Sequence, residues 1–250
     1  MAERNPVSTP VDPGRKLKKN HSQSGEDSAL PYRELVGSLT YLASTTRPDI
    51  SFAASYLGQF NNCFGVDHWK AAKRVLRYLK GTVDVGLVFS EGSTPATGYV
   101  DADWGNDSDD RRSFTGYIFK HNGGPIAWES RKQRTVALST TEAEYMALSE
   151  GVKEALFLKR YLSELGFGAS NEMRVYCDNQ SSIKLSENDV FHGRSKHIDI
   201  RHHFVRDVVQ RKEISLAHVS SENQVADFLT KALPKNKHRI CSELAGLSDL

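Results

Sequence analysis

Apolar positions change their spacing along this chain, and the changes divide it. Residues 1–30 carry few large apolar groups and are rich in Ser, Pro, Lys and Asp. An extended, poorly ordered arm is expected there. From residue 31 the texture becomes helical. Tyr32, Leu35, Val36, Leu39 and Leu42 lie on one stripe, and Ile50, Ala53, Ala54 and Leu57 on a second. Pro48 separates them by disfavouring helical backbone at Arg47. Trp69, Ala72, Val75, Leu76 and Leu79 form a third stripe, whose remaining circumference holds Lys70, Lys73, Arg74, Arg77 and Lys80. Those charges read either as a solvated face or as phosphate contacts. Residues 86–89 look like a strand. Residues 31–92 therefore form a small helical unit, too short to be read as an independent domain.

Beyond a polar linker the period becomes two. Strands are predicted over 97–104, 113–120 and 125–131, the last two joined by His121-Asn122-Gly123-Gly124. Asn-Gly tolerates positive φ and is a strong hairpin signal. Ser139-Thr140-Thr141-Glu142 has the form of a capping box. It opens a helix through Tyr145, Leu148 and Val152, followed by a second helix from Leu156 to Leu165. A fourth strand takes Met173, Val175 and Cys177, a short helix starts near Asp178, and a longer one spans 195–211. A fifth strand covers 214–219. The last clear helix begins at Asn223, with a tail from 236 to 250. Strands followed by alternating helices and strands predict a mixed α/β sheet flanked by helices, over residues 93–235.

Composition changes little in this picture. The 250 residues are 38% hydrophobic and carry a formal net charge of +2, so any polyanion partner must be met by a local surface. Cys63, Cys177 and Cys241 are far apart and odd in number, which implies neither a disulfide framework nor a zinc pattern. The His202-His203 pair lacks a further ligand four residues on, so zinc is not expected there either. A reducing, intracellular setting, cytoplasmic or nuclear, is the expectation. There is no signal-peptide core and no apolar run long enough to span a membrane.

Four acidic residues break the apolar pattern. Asp101 lies in a strand, Glu144 in Ala-Glu-Tyr-Met-Ala, Asp178 in Val-Tyr-Cys-Asp-Asn and Asp227 in Val-Ala-Asp-Phe-Leu. Burying such groups costs several kcal/mol or so each unless something positive neutralises them. Divalent cations would do so and would supply a chemistry. Asp101 and Asp103 share a strand face, so either suits as first ligand. Glu142 is accounted for by the cap. Asp178 also suits an N-cap, and Asp227 a helix start. Trp104 and Trp128 read as nucleotide-stacking groups or, more simply, as buried sheet aromatics.

The order Asp, Glu, Asp, Asp across these elements resembles the ribonuclease H fold. The surrounding words are similar to those of copia-type retrotransposons: Tyr-Val-Asp-Ala-Asp-Trp, Ser-Thr-Thr-Glu-Ala-Glu-Tyr-Met-Ala-Leu, Cys-Asp-Asn-Gln-Ser, Ser-Lys-His-Ile-Asp-Ile-Arg-His-His-Phe and Val-Ala-Asp-Phe-Leu-Thr-Lys. Upstream, the words from Tyr32 to Leu39, Thr46 to Ile50 and Ala71 to Thr82 resemble the end of the copia reverse transcriptase. The match runs over roughly residues 5–235. The resemblance implies a five-stranded ribonuclease H-like sheet preceded by a thumb- or connection-like segment. It implies two Mg²⁺ ions, with Mn²⁺ as an alternative, held by Asp101, Glu144, Asp178 and Asp227, and hydrolysis of the RNA strand of RNA–DNA hybrids. A family histidine that aids proton transfer or product release corresponds to His218. Lys196, Arg201 and Arg206 are candidates for a phosphate-contacting stripe. No Tyr-x-Asp-Asp word is present, so no polymerase activity is expected. The chain reads as the C-terminal part of a larger polyprotein, partnered by its other reverse transcriptase domains. The alternative is a silent, domesticated or truncated nucleic-acid-binding remnant.

Overall fold

The computed structural model describes residues 4–21, 29–92, 94–167, 172–187 and 196–250, with side chains in the last stretch from Ile200 onward. Helices α1 (Tyr32–Thr45), α2 (Ser51–Gly58) and α3 (Val66–Lys80) enclose their own core, in which Tyr32, Leu39, Leu57, Phe60 and Val75 are buried. The stripe Tyr32, Val36, Leu39, Ala43 is the inward face of α1. The segment expected to be poorly ordered is anchored over residues 4–21. Leu17 is buried in the helical core, and its N–H donates to the Tyr56 hydroxyl at 2.8 Å. The basic face of α3 holds this arm: Arg74 donates to Thr9 O at 3.1 Å and Arg77 to Asn5 O at 2.7 Å. Part of the cationic stripe is thus committed to the chain itself.

After β1 (Val85–Leu87), strands β2 (Thr97–Ala102), β3 (Phe114–His121), β4 (Gly124–Lys132), β5 (Met173–Cys177) and β6 (Ile214–His218) build a five-stranded sheet in the order β4-β3-β2-β5-β6. β2–β3 and β3–β4 pair antiparallel, β2–β5 and β5–β6 parallel. This is the predicted ribonuclease H-like mixed sheet. The hairpin turn falls where Asn122 and Gly123 take positive φ, 50° and 80°. Helix α4 (Thr140–Glu164) is one continuous 25-residue helix, where two were expected. No breaker lies between Val152 and Leu156, so the helix runs on across the sheet. It packs on one sheet face with α6 (Lys196–Gln210), and α5 (Gln180–Glu187) lies beside them.

The opposite sheet face carries a second departure. The helix expected from Asn223 is a short 3-10 turn, Val225–Leu229. The supposed tail instead forms α7 (Lys235–Ala245) and strand β7 (Leu247–Asp249), which pairs antiparallel with β1. Pro234 provides the helix start and Gly246, at φ 96°, the left-handed stop. A buried cluster ties these parts to the helical unit. Arg47 forks onto Asp49 at 2.7 and 2.9 Å and donates to Thr82 O. Tyr78 donates to Asp49 Oδ2 at 2.6 Å, and His238 Nε2 of α7 lies 3.2 Å from Asp49 O. Trp128 of β4 donates its indole N–H to Ala43 O of α1 at 2.6 Å.

Two close approaches set the distances that matter for the site. A Cβ on Gly151 would lie 2.4 Å from Val100 Cγ2, so glycine lets α4 settle onto β2. A Cβ on Gly116 would lie 2.6 Å from Leu229 Cβ and 2.8 Å from Thr230 Cγ2, so glycine lets the 3-10 turn press on β3. Gly116 is the register partner of Asp101.

Candidate active site

Four elements deliver the four carboxylates to one end of the sheet. Val100 of β2 and Cys177 of β5 are register partners, so Asp101 and Asp178 each follow that pair. Glu144 comes from the second turn of α4, whose start is set by Ser139: its hydroxyl accepts from Glu142 N at 3.1 Å. Glu142 reaches back to Leu138 N at 2.9 Å, one residue before the N-cap. Asp227 stands on the 3-10 turn that Gly116 admits. Asp101, Glu144 and Asp227 are 1%, 7% and 5% exposed, so their charges are largely out of water. Asp178 is half-buried.

Electrostatics record the crowding. Burial, then the negative charges of Asp101 and Asp178, push Glu144 well above the usual carboxylate range. Among the described residues, Glu144 Oε2 is buried with no hydrogen-bond partner. Burial pushes Asp101 up to about 6, although Lys231 and a hydrogen bond from the Thr230 hydroxyl pull the other way. Lys231 Nζ lies 3.4 Å from Asp101 Oδ2 and 2.7 Å from Asp227 Oδ1. Burial works against its charge, but Asp101 and Asp227 outweigh it and raise the amine above its ordinary value. Lys237 Nζ sits 3.2 Å from Asp227 Oδ2, and Ser221 donates to Asp178 Oδ2 at 2.8 Å. Lys231, Lys237, Thr230 and Ser221 were not singled out from sequence. The available signal for Lys231 was its place four residues after Asp227, the spacing of a side-chain pair on one helical face.

Asp103 has a different setting. Its Oδ1 accepts from Phe114 N, closing the open end of the β2–β3 pairing, and burial pushes it up to about 7. Asp101, not Asp103, sits among Asp227, Thr230 and Lys231. Trp104 departs from the buried fate expected for it. It is 53% exposed, with its indole N–H held by Ala137 O at 3.1 Å. Trp128 is half-buried.

His218 ends β6, where its register partner is Cys177; it is exposed and hydrogen-bonds to none of the four carboxylates. Arg201 is turned inward: Nη1 meets Glu150 Oε1 and Ser149 Oγ, each at 2.7 Å, which ties α6 to α4. Arg206 is half-buried and shares a hydrogen bond with His203 Nδ1 at 3.1 Å. Lys196 starts α6, and its side chain lies outside the described residues. A groove of about 400 Å³ brings Arg131, Lys132, Arg134, Lys153 and Arg201 together around Glu150.

A mixed sheet in this order, with carboxylates converging from two strands, the central helix and a final turn, defines a ribonuclease H-like domain joined to a helical unit. No family model matches the chain. It is 44% identical, over 99% of its length, to the Retrovirus-related Pol polyprotein from transposon TNT 1-94 of Nicotiana tabacum. It is 43% identical over 94% of its length to the Pol polyprotein from transposon RE2 of Arabidopsis thaliana. The N-terminal RNase H domain of rv2228c from Mycobacterium tuberculosis is similar over 61% of this chain and 99% of that one, at 13% identity and a TM-score of 0.42. Over nearly its whole length the chain is thus similar to Pol polyproteins of copia-type retrotransposons. It spans 19% and 16% of the two relatives' own lengths. No helix among the described residues is long and apolar enough to cross a membrane.

Proposed function

We propose that this chain is the ribonuclease H part of such a polyprotein and hydrolyses the RNA strand of RNA–DNA hybrids with divalent cations. The observation that carries the reading is the convergence of Asp101, Glu144, Asp178 and Asp227 at one end of the sheet. The donor set fits Mg²⁺, which prefers hard oxygen ligands, with Mn²⁺ as an alternative. Among the described residues Glu144 Oε2 is buried without a hydrogen-bond partner, and Asp101 and Asp227 draw in Lys231 and Lys237, so the pocket calls for positive charge. Asp101, Glu144, Asp178 and Asp227 would hold such ions, which would supply activation of a water and charge stabilisation at the departing 3′ oxygen.

The chain's own groups prepare this chemistry. Thr230 and Lys231 orient the Asp101 carboxylate, Ser221 orients Asp178, and the apolar sheet behind them excludes water. His218, exposed at the end of β6, is the candidate for proton exchange with solvent. The cationic groove around Arg131 and Lys153 suits phosphates, and 2′-hydroxyl contacts would distinguish the RNA strand. The remaining reverse transcriptase domains of such a polyprotein are its partners, inside the cell.

A second reading has one observation behind it. Lys231 already pairs with Asp101 and Asp227, as it would in a silent binding remnant that no longer takes up metal. Hydrolysis of a strand-labelled hybrid in Mg²⁺ separates the two. The wild type should cut only the RNA strand, and the isosteric Asp178→Asn should be slower by at least about a hundredfold. No cleavage by the wild type, or equal rates for both proteins, overturns the enzyme reading.

A further inference from the structure

Cys177 stands in unusual company. A buried cysteine is ordinarily a small apolar filler. Its sulfur is fully buried, yet it faces Glu144, Asp178 and Asp101, whose charges add to burial in holding the thiol protonated. Strand alternation turns Cys177 toward α4, where Glu144 lies. One atom each from Glu144, Cys177 and Asp178 lies within 4.8 Å of the other two. Glu144 is itself more than nine-tenths buried, and among the described residues its Oε2 has no hydrogen-bond partner. Asp178, the outermost of the three, is half-buried.

Two carboxylates and a sulfur form a donor set for a soft or borderline ion rather than for Mg²⁺. Zinc sites with three protein ligands keep a fourth position open to water, and ligand lengths of about 2.0–2.3 Å need only a small contraction of this triad. We propose that Glu144, Cys177 and Asp178 bind one thiophilic divalent cation of the zinc–cadmium class, which displaces harder ions from Glu144 and Asp178. Binding converts the thiol to a metal thiolate and releases its proton to solvent, so no oxidant or reductant takes part. The inference shares two residues with the ribonuclease reading but does not depend on hydrolysis.

Cadmium titration of the metal-free protein tests it, followed by the ultraviolet thiolate-to-metal charge-transfer band. The wild type should show a saturable band with one ion per chain and release of a proton. Cys177→Ser should lose the band while keeping a cooperative melt. Glu144→Gln should weaken binding by at least about tenfold. The double variant Cys63→Ser/Cys241→Ala, with Cys177 as its sole thiol, should retain the band. Absence of the band in the wild type, its survival in Cys177→Ser, or its loss in the double variant overturns the proposal. A wild type that shows the band but cuts no hybrid leaves this site standing and removes the ribonuclease reading; the converse removes only this site.

Discussion

Lys231 is the residue on which the metal-free site turns. Its amine lies between Asp101 and Asp227, where positive charge is needed and burial makes charge costly. Lys231→Met keeps the length of the side chain and removes the charge. The account predicts a loss of about 1–2 kcal/mol in chelator, discounted because the amine is one-third exposed. It also predicts that saturating Mg²⁺ recovers most of that loss. Thermal unfolding with and without Mg²⁺ measures both, and an equal loss in both conditions would show that Lys231 does not stand in for ions. The four acidic positions were legible in sequence because each interrupts an apolar word. Lys231 was not, because a Lys in Leu-Thr-Lys-Ala reads as an ordinary surface residue until the 3-10 turn is seen to face β2. The Asp101/Asp103 ambiguity had the same origin: parity alone cannot say which carboxylate meets the turn and which closes the strand pair.

Elements met their sequence signals where the signal was local. The Asn-Gly hairpin, the Ser139 cap and the alternation of β5 all appear as read. What escaped depended on contacts distant in sequence. Strand β7 has only three residues, and it exists because β1, more than 150 residues earlier, pairs with it. Helix α7 sets His238 against Asp49 of the Arg47–Asp49–Tyr78 cluster. Burial lowers the His238 pKa, with Arg47 acting in the same direction and Asp49 against it. A base depressed in the folded state contributes stability that is present above its ordinary value of about 6.5 and is lost as pH falls through the folded value. The wild type should therefore lose more stability than His238→Gln between about pH 7.5 and pH 5. Urea unfolding at both pH values checks it; parallel losses would mean that the imidazole does not titrate against this packing.

At the scale of the whole molecule, the helical unit has its own core, and specific contacts join it to the sheet. Trp128 donates to Ala43 O, Phe52 packs edge-on to Phe114 at 5.1 Å, and Lys132 reaches Gln59 at 2.9 Å. A fragment starting at Thr94 keeps all four carboxylates but loses those partners and β1. It should melt without a cooperative transition, or at least about 10 °C below the whole chain. A cooperative melt at the temperature of the whole chain would show that the helical unit is dispensable. The composition shift was visible in sequence; the contacts across it were not, because Trp128, Phe114 and His238 give no hint there of which partner covers them.

The central claim is that the four carboxylates form one cation site. Mn²⁺ titration followed by electron paramagnetic resonance, with hybrid present, tests it most directly. The account predicts saturable binding of about two ions in the wild type. It also predicts at least about tenfold weaker binding in Asp178→Asn. Mn²⁺ binding that is absent from the wild type, or unchanged in Asp178→Asn, would contradict it.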